Sequence, residues 1–342
     1  ANGLPVLDND SGERWLQLRH ATHLRVSPLL DVEIGGDIKR LFNRYDNRYG
    51  AVPDALGNPV PAAAFVADAD NTLTGLFATA SLSSWSRLTL TAGLRAQHST
   101  WNDRIELQPR ASAALALTEL TTVTLSGGVY TQSLPLLLLA QDAASPALPD
   151  PRALQGVLGI AHLLTASTRL TLEGYVKQYD RFPIDPSQPE LFVVDELSYR
   201  YGLFTPHARL EAGGKAFSRG VELTLQKKLA QDVYGLASAA WSTARYSDGR
   251  GDERPRVYDN RVLFSMEGGW KPTTEWEFSL RWIYAGGAPY TPMDVAASQD
   301  ARQEVLDAAR INAERHPDYH SMNVRVDRRF NFTGSSLVVY VS

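Results

Sequence analysis

The sequence predicts an all-β protein, a transmembrane antiparallel up-and-down β-barrel with long extracellular loops and short periplasmic turns. Two observations indicate this fold. Hydrophobic residues recur with a period of two along most of the 342 residues, which is the spacing of one face of a β-strand. Tight connections also alternate with long ones, as in barrels whose turns and loops lie on opposite sides of a membrane.

About fourteen strands follow from this periodicity. In the segment 87–96, for example, the even positions are apolar and the odd positions are mostly polar. In order along the chain, the predicted strands span 14–26, 29–45, 72–84, 87–101, 105–117, 121–134, 153–165, 168–182, 214–229, 232–246, 258–271, 275–287, 318–331 and 335–342.

The predicted connections fall into two classes. Short ones lie at 27–28, 83–86, 118–120, 166–167, 230–231, 272–274 and 333–334, and long ones at 46–71, 135–152, 183–213, 247–257 and 288–317. The link at 102–104 is an exception, because it is short where a long loop is expected. The predicted strands exceed the roughly 5 to 6 residues usual in soluble proteins and can cross a bilayer, which takes about 9 to 11 tilted residues.

Composition excludes several classes of protein. The chain has 34 basic and 38 acidic residues, and this balance gives no support to nucleic-acid binding. It has no cysteine, which excludes disulfides and thiol chemistry. The longest apolar run, 134–140, contains Pro135 and is far shorter than the approximately 20 residues that a transmembrane helix needs.

The charged residues agree with an enclosed aqueous lumen. The polar phase of the predicted strands carries Arg95, Glu173, Glu222, Glu267, Arg281 and Arg325. A cation facing lipid near the bilayer midplane costs about 2–4 kcal/mol, so these side chains are expected to face inward. A soluble all-β fold is the alternative, and it would require the apolar faces to meet in a dry core.

Several segments resemble TonB-dependent outer-membrane receptors. Residues Lys215 to Leu229 (KAFSRGVELTLQKKL) are similar to a strand of that family, and Trp282 to Pro292 (WIYAGGAPYTP) to its strand-to-loop element. Residues His320 to Val341 resemble the penultimate hairpin, and 108–116 and 168–179 resemble mid-barrel hairpins. The resemblance covers most of residues 70–342 and rests on the order of the motifs.

The resemblance implies a barrel of about 22 strands around a plug, which imports scarce large nutrients with energy from the inner-membrane TonB complex. This chain departs from that plan, because it has about fourteen predicted strands and no recognisable plug or TonB-contacting segment. We therefore expect residues 1–342 to be one β-barrel domain, a partial receptor without the plug and the last strand.

Arginine and tyrosine are concentrated in and beside the predicted loops. Arginine donates forked hydrogen bonds and tyrosine offers a flat apolar face with a polar tip, so together they suit anionic or polyhydroxylated ligands. Packing of the loop aromatic residues on each other is the alternative. The candidate ligand-binding residues are Tyr45, Arg48, Tyr49, Arg181, Tyr199, Tyr201, Tyr246, Arg250, Tyr258, His316, Tyr319 and His320.

His316 and His320 flank Pro317 at the mouth of the last long loop. Because proline prevents the regular helix that would align residues i and i+4, only the loop itself could bring the two histidines together. A shared ligand site is one hypothesis and a solvated loop is the other. No metal site is predicted.

The motifs of hydrolases, zinc proteases and phosphate-binding loops do not occur in the sequence. We therefore expect a protein that is not an enzyme and has no cofactor. The expected function is TonB-dependent uptake of a ferric siderophore, peptide or glycan across the bacterial outer membrane. The expected partners are outer-membrane lipids, that nutrient and the TonB complex. A passive porin and a soluble all-β binding protein or hydrolase are the alternatives.

Overall fold

The computed structural model describes residues 7–51, 56, 58, 61–84, 87–141, 148–195, 207 and 209–342. They form one 16-stranded sheet, in which every pairing between strands is antiparallel. Among these residues no helix has the length and apolar character needed to span a membrane.

Fourteen long strands in the described part of the chain account for most of the sheet. They are β2 (Gly12–Ser27), β3 (Leu30–Tyr49), β4 (Ala63–Ser84), β5 (Leu88–Ser99), β6 (Arg104–Ala116), β7 (Thr121–Thr131), β8 (Arg152–Thr165), β9 (Thr168–Ile184), β10 (Glu211–Ala230), β11 (Val233–Ser247), β13 (Val262–Trp270), β14 (Trp276–Ala285), β17 (Tyr319–Phe332) and β18 (Ser335–Val341).

Four short strands complete the set. Strand β1 (Leu7–Asn9) pairs with the end of β3, and β12 (Glu253–Pro255) pairs with the end of β11. Strands β15 (Pro289–Tyr290) and β16 (Glu314–Arg315) form a separate ribbon in the last long loop. The described chain also contains two α-helices, α1 (Leu136–Leu139) and α2 (Val295–Ala301), both in long loops.

The long strands follow one another in chain order across the sheet, so the up-and-down prediction is confirmed. The fourteen predicted strands correspond to the fourteen long ones. The main error is at β4, which begins at Ala63 and pairs along β3 up to Tyr49. The predicted loop 46–71 is therefore shorter, because its polar residues continue the alternation above the apolar region. The sheet is not closed, and β2 and β18 lie at its edges.

The apolar face of the sheet points outward. Leu172 is 44% exposed and Phe278 is 38% exposed, and both lie on strands paired on two sides. A soluble fold would bury such residues, so the soluble alternative is wrong. On β3 the outward positions from Leu30 to Ile38 are apolar or glycine, and Arg40 is the next one up the strand. This matches the apolar band, about 25 Å tall, of membrane barrels.

The inward face is polar. Arg95 on β5 donates to Asp37 on β3 at 2.7 Å, across the intervening strand β4. Of the adjacent cations Arg328 and Arg329, Arg328 faces outward and lies 5.0 Å from the ring of Trp276 near a short turn. Trp101, in contrast, does not face the membrane, since it packs in the loop region.

Candidate functional site

The long loops lie at one end of the sheet and fold onto its inward face, where they form the buried part of the molecule. The strands carry few buried apolar residues, whereas the loops and adjoining strand ends form a compact apolar cluster. Its members are Tyr45, Ala69, Leu134, Leu136, Leu138, Leu139, Leu148, Val193 and Leu210.

Tyr45 belongs to this cluster and is only 1% exposed. Its hydroxyl donates to a Glu13 carboxylate oxygen at 2.6 Å and accepts a hydrogen bond from the Asn43 amide at 2.9 Å. Helix α1 packs beside it, with Leu138 fully buried. In this arrangement Tyr45 supports the loop between β7 and β8 and has no surface left for a ligand.

Arg48 and Tyr49 lie on opposite faces of β3 because successive side chains of a strand alternate. Arg48 is on the outward face beside Asp46, with 3.7 Å between the charged groups. Tyr49 is on the inward face with Tyr45. The structure therefore brings Tyr49, but not Arg48, to the inside of the loop end.

A second cluster surrounds Arg256, which follows β12. Its guanidinium lies 4.9 Å from the centre of the Phe192 ring and 5.9 Å from that of Phe182. Phe192 stacks on Tyr246 with 4.9 Å between ring centres. Arg256 lies in the predicted long loop 247–257, beside the candidate ligand residues Tyr246, Arg250 and Tyr258.

Asp195 neutralises Arg256 inside this cluster. Arg256 Nε donates to Asp195 Oδ2 at 3.0 Å, and the Asp195 side chain is completely buried. Although burial lowers the pKa of Arg256, the hydrogen bond to Asp195 and the negative charge of Asp195 together outweigh it and raise that pKa. Tyr246 is 1% exposed and donates to the Glu190 carbonyl oxygen at 2.8 Å. We define this group as the arginine cluster: Tyr179, Phe182, Phe192, Asp195, Tyr246 and Arg256.

Arg250 and Tyr258 flank the arginine cluster on its open side. Tyr258 is 63% exposed, with its ring centre 5.9 Å from the Arg256 guanidinium. Arg250 is also largely exposed and forms an ion pair with the buried Glu190. These two side chains remain accessible where Tyr246 does not.

Arg181 connects two parts of the sheet. Its backbone has φ +63°, a left-handed bulge at the loop end of β9, and its guanidinium donates to Glu106 on β6 at 2.9 Å. Asp150 lies close to this pair and accepts a hydrogen bond from Ser133 at 3.1 Å. Burial raises the pKa of Asp150, because the charged form loses its hydration.

His316 and His320 lie in different environments, since His316 is in the last long loop and His320 is on β17. His316 lies over the Tyr290 ring, with 4.6 Å between ring centres, whereas His320 is on the outward face of β17 opposite Tyr284. Tyr319 faces inward and is exposed. The described residues contain no group of three or more His, Asp or Glu side chains placed to hold a metal ion. Tyr199 and Tyr201 lie outside the described residues.

A polar groove of about 590 Å³ lies on the inward face below the loops. Arg110 stacks on Tyr130 there, with its guanidinium 4.5 Å from the ring centre, and Arg19 lies over Phe77 at 5.3 Å. The predicted ligand residues did not include these four. Strand alternation could have found them, because it places each of them on the polar inward face.

Comparison with known proteins identifies a family that matches this chain. The family model described as "TonB dependent receptor-like, beta-barrel" matches residues 3–342. A comparison with curated proteins gives no match. Solved structures do match, and the chain spans about half of their length.

Three solved structures illustrate the likeness, and each covers 94% of this chain. The ferric-catecholate import receptor Fiu from E. coli K12 has 14% identity and a TM-score of 0.68 over 49% of its own chain. The ferripyoverdine receptor of the Pseudomonas aeruginosa outer membrane has 12% identity and a TM-score of 0.65 over 43% of its chain. The FrpB iron transporter from Neisseria meningitidis has 12% identity and a TM-score of 0.64 over 48% of its chain.

Proposed function

The chain belongs to the TonB-dependent receptor β-barrel family and therefore to the bacterial outer membrane, and on that premise we propose that it forms the barrel domain of a receptor for energised nutrient uptake. The family match over residues 3–342 is the observation that carries this proposal. In the proposal residues 1–342 are one β-barrel domain, the protein is a transporter rather than an enzyme, and TonB acts on another part of the receptor.

The nutrient we propose is a ferric siderophore. Structures similar to this chain carry names that refer to ferric-catecholate import and to ferripyoverdine. Such ligands are anionic or rich in oxygen, and exposed arginine and tyrosine side chains recognise both properties. A peptide or a glycan is the alternative nutrient within the same family.

Accessible loop residues are the best candidates for first contact with the nutrient. Arg250, Tyr258 and Tyr319 are exposed at the loop end. Tyr45 and Tyr246 are buried, and in this proposal they hold the loops in position. Ligand captured by the exposed residues would then pass to the polar inward face.

Uptake of radiolabelled iron in cells that depend on the natural protein tests the proposal. We expect uptake of at least one ferric siderophore, and we expect it to stop when the TonB complex is deleted. A passive porin would keep transporting without TonB, so persistent uptake would contradict the receptor assignment.

Two tyrosine substitutions test the ligand contacts. We expect Tyr258→Ala and Tyr319→Ala each to weaken siderophore binding about fivefold or more, because contact aromatics contribute strongly to recognition. Tyr284→Ala is the control, since Tyr284 faces outward opposite His320. Equal weakening by all three variants would show that these changes act on folding rather than on ligand contact.

A further inference from the structure

A group of three cations lies on the outward face of β10 and β11, toward the loop end. Arg219 is opposite Thr243, and Phe217 is opposite Arg245, so the two arginines are diagonal neighbours. Lys215 is opposite Ser247 and is in turn diagonal to Arg245. Since diagonal neighbours in an antiparallel pair lie about 7–8 Å apart, one small anion can reach more than one of these side chains.

The neighbouring residues fix the direction of these side chains. Ala216 and Tyr246 are buried on the inward face, so the alternating positions Lys215 and Arg245 face outward. Directly below, Val221 and Trp241 are opposite each other, and Trp241 is 51% exposed. The three cations therefore border the apolar band of the barrel.

Two other outward cations above the apolar band have carboxylate partners. Arg40 pairs with Asp70 at 2.8 Å, and Arg152 pairs with Asp180 at 2.6 Å. Within the described part of the chain, Lys215, Arg219 and Arg245 form no ion pair.

Two outward carboxylates lie near the group, and within the described chain neither forms an ion pair with it, so three cations face at most one unpaired carboxylate. Asp180 on β9 is already held by Arg152 through two hydrogen bonds to the same oxygen. Glu253 is opposite Ser247, one step above Arg245, and the described chain shows no ion pair for it. The outward surface at this position therefore carries excess positive charge.

We propose that Lys215, Arg219 and Arg245 bind the phosphate group of a phosphorylated lipid headgroup in the outer leaflet. Arginine recognises phosphate through forked hydrogen bonds and lysine through a point charge. The acyl chains of the lipid would lie along Val176, Val221 and Trp241. The apolar band begins directly below the three cations. A lipid can therefore contact the cations with its phosphate and the band with its acyl chains, which free phosphate cannot do.

Lipid binding to the purified natural protein tests the proposal, measured by native mass spectrometry in detergent. The probe is lipid A with two phosphates, compared with the same lipid after one phosphate is removed. We expect the double variant Arg219→Gln/Arg245→Gln to bind the bisphosphorylated lipid at least tenfold more weakly, since each cation near an anionic surface contributes about a fivefold change in affinity. The monophosphorylated lipid should show a smaller loss.

Lys227→Gln is the matched control, because Lys227 lies on the outward face of the same strand at its other end. We expect it to leave lipid A binding unchanged. Arg219→Lys/Arg245→Lys keeps the charges and should retain most of the binding, which separates a local site from a folding defect. Equal losses in Lys227→Gln and in the double variant would overturn the proposal. Full competition by inorganic phosphate at matched concentration would also overturn it, in favour of a free-anion site.

Discussion

The long strands of the sheet (the strand wall) and the long loops with the adjoining strand ends (the loop end) use hydrophobic residues in opposite ways. Along the wall, large apolar side chains such as Leu76 and Leu172 are exposed on the outward face. At the loop end Leu138, Tyr45 and Phe192 are buried among other protein side chains. The wall thus relies on lipid to remove apolar surface from water, while the loop end folds as a small globular unit would in water.

Ion pairs also differ between the two regions, being more exposed on the strand wall and more buried at the loop end. Arg40 and Asp70 on the wall form a half-exposed pair, whereas Asp195 at the loop end is completely buried with Arg256. Exposed pairs contribute roughly 0–1 kcal/mol. Removing one member of a buried pair costs about 3–5 kcal/mol, because the other charge is left uncompensated.

The largest expected effect therefore comes from Asp195→Asn. It leaves the Arg256 guanidinium buried without its counterion, and we expect it to lower the stability of the arginine cluster by about 3–5 kcal/mol. Hydrogen exchange of residues 189–195 and 254–258 measures this loss. The control Asp46→Asn removes the carboxylate beside the exposed Arg48 and should lower local stability by about 1 kcal/mol at most. Similar effects of the two variants would mean that the loop end is as solvated as the wall.

A smaller effect is expected from Leu223→Arg on the wall. Leu223 faces outward opposite Leu172 and Ala239. Lipid-facing arginine near the midplane should destabilise the barrel by about 2–4 kcal/mol, measured by denaturant unfolding in lipid vesicles. The inward control Thr171→Arg should be nearly neutral, because its cation enters water. If Thr171→Arg were the more damaging change, the assignment of faces would be reversed.

The smallest expected effect is the dependence of loop-end stability on pH. Burial raises the pKa of Asp185, but hydrogen bonds involving His207 and Ser187 outweigh it and lower that pKa below the ordinary carboxyl value. An aspartate whose pKa is lower in the folded state stabilises the fold above its unfolded pKa and loses that contribution as pH falls through the folded one. We therefore expect the protection of amides in 185–195, relative to their intrinsic exchange rates at the same pH, to fall as pH falls below about 4. In Asp185→Asn this loss of protection should be smaller, and an unchanged pH profile would contradict the role of Asp185.

The sequence was sufficient to predict the wall, because alternation is a local property. The fourteen long strands, their order and the inward position of Arg95 all follow from a period of two. The start of β4 at Ala63 was missed, since its upper half carries Asp68 and Asp70 on the outward face above the apolar band. Polar residues there look like a loop when only hydrophobicity is considered.

The loop end could not be predicted in the same way. Asp195 and Arg256 are 61 positions apart, and Tyr45 meets Leu138 only when the loop between β7 and β8 folds inward. Two of the tyrosines predicted as ligand contacts, Tyr45 and Tyr246, prove to be buried. Composition identified the right segments, but contacts between distant loops decide which side chains remain accessible.

Apart from the short link between β5 and β6, the tight turns lie at one end of the sheet, and this placement has a consequence for biogenesis. A chain that reaches the outer membrane from the periplasm can leave its hairpin turns behind, but each long loop must be carried across the hydrocarbon layer. The segment between β9 and β10 contains Asp185, Glu190 and Asp195, and the transfer of unpaired carboxylates through hydrocarbon is very costly. Asp185 and His207 lie in this same segment and are 2.7 Å apart. If Asp185 and His207 paired before the segment crosses the membrane, the segment would carry fewer unpaired charges through the hydrocarbon layer.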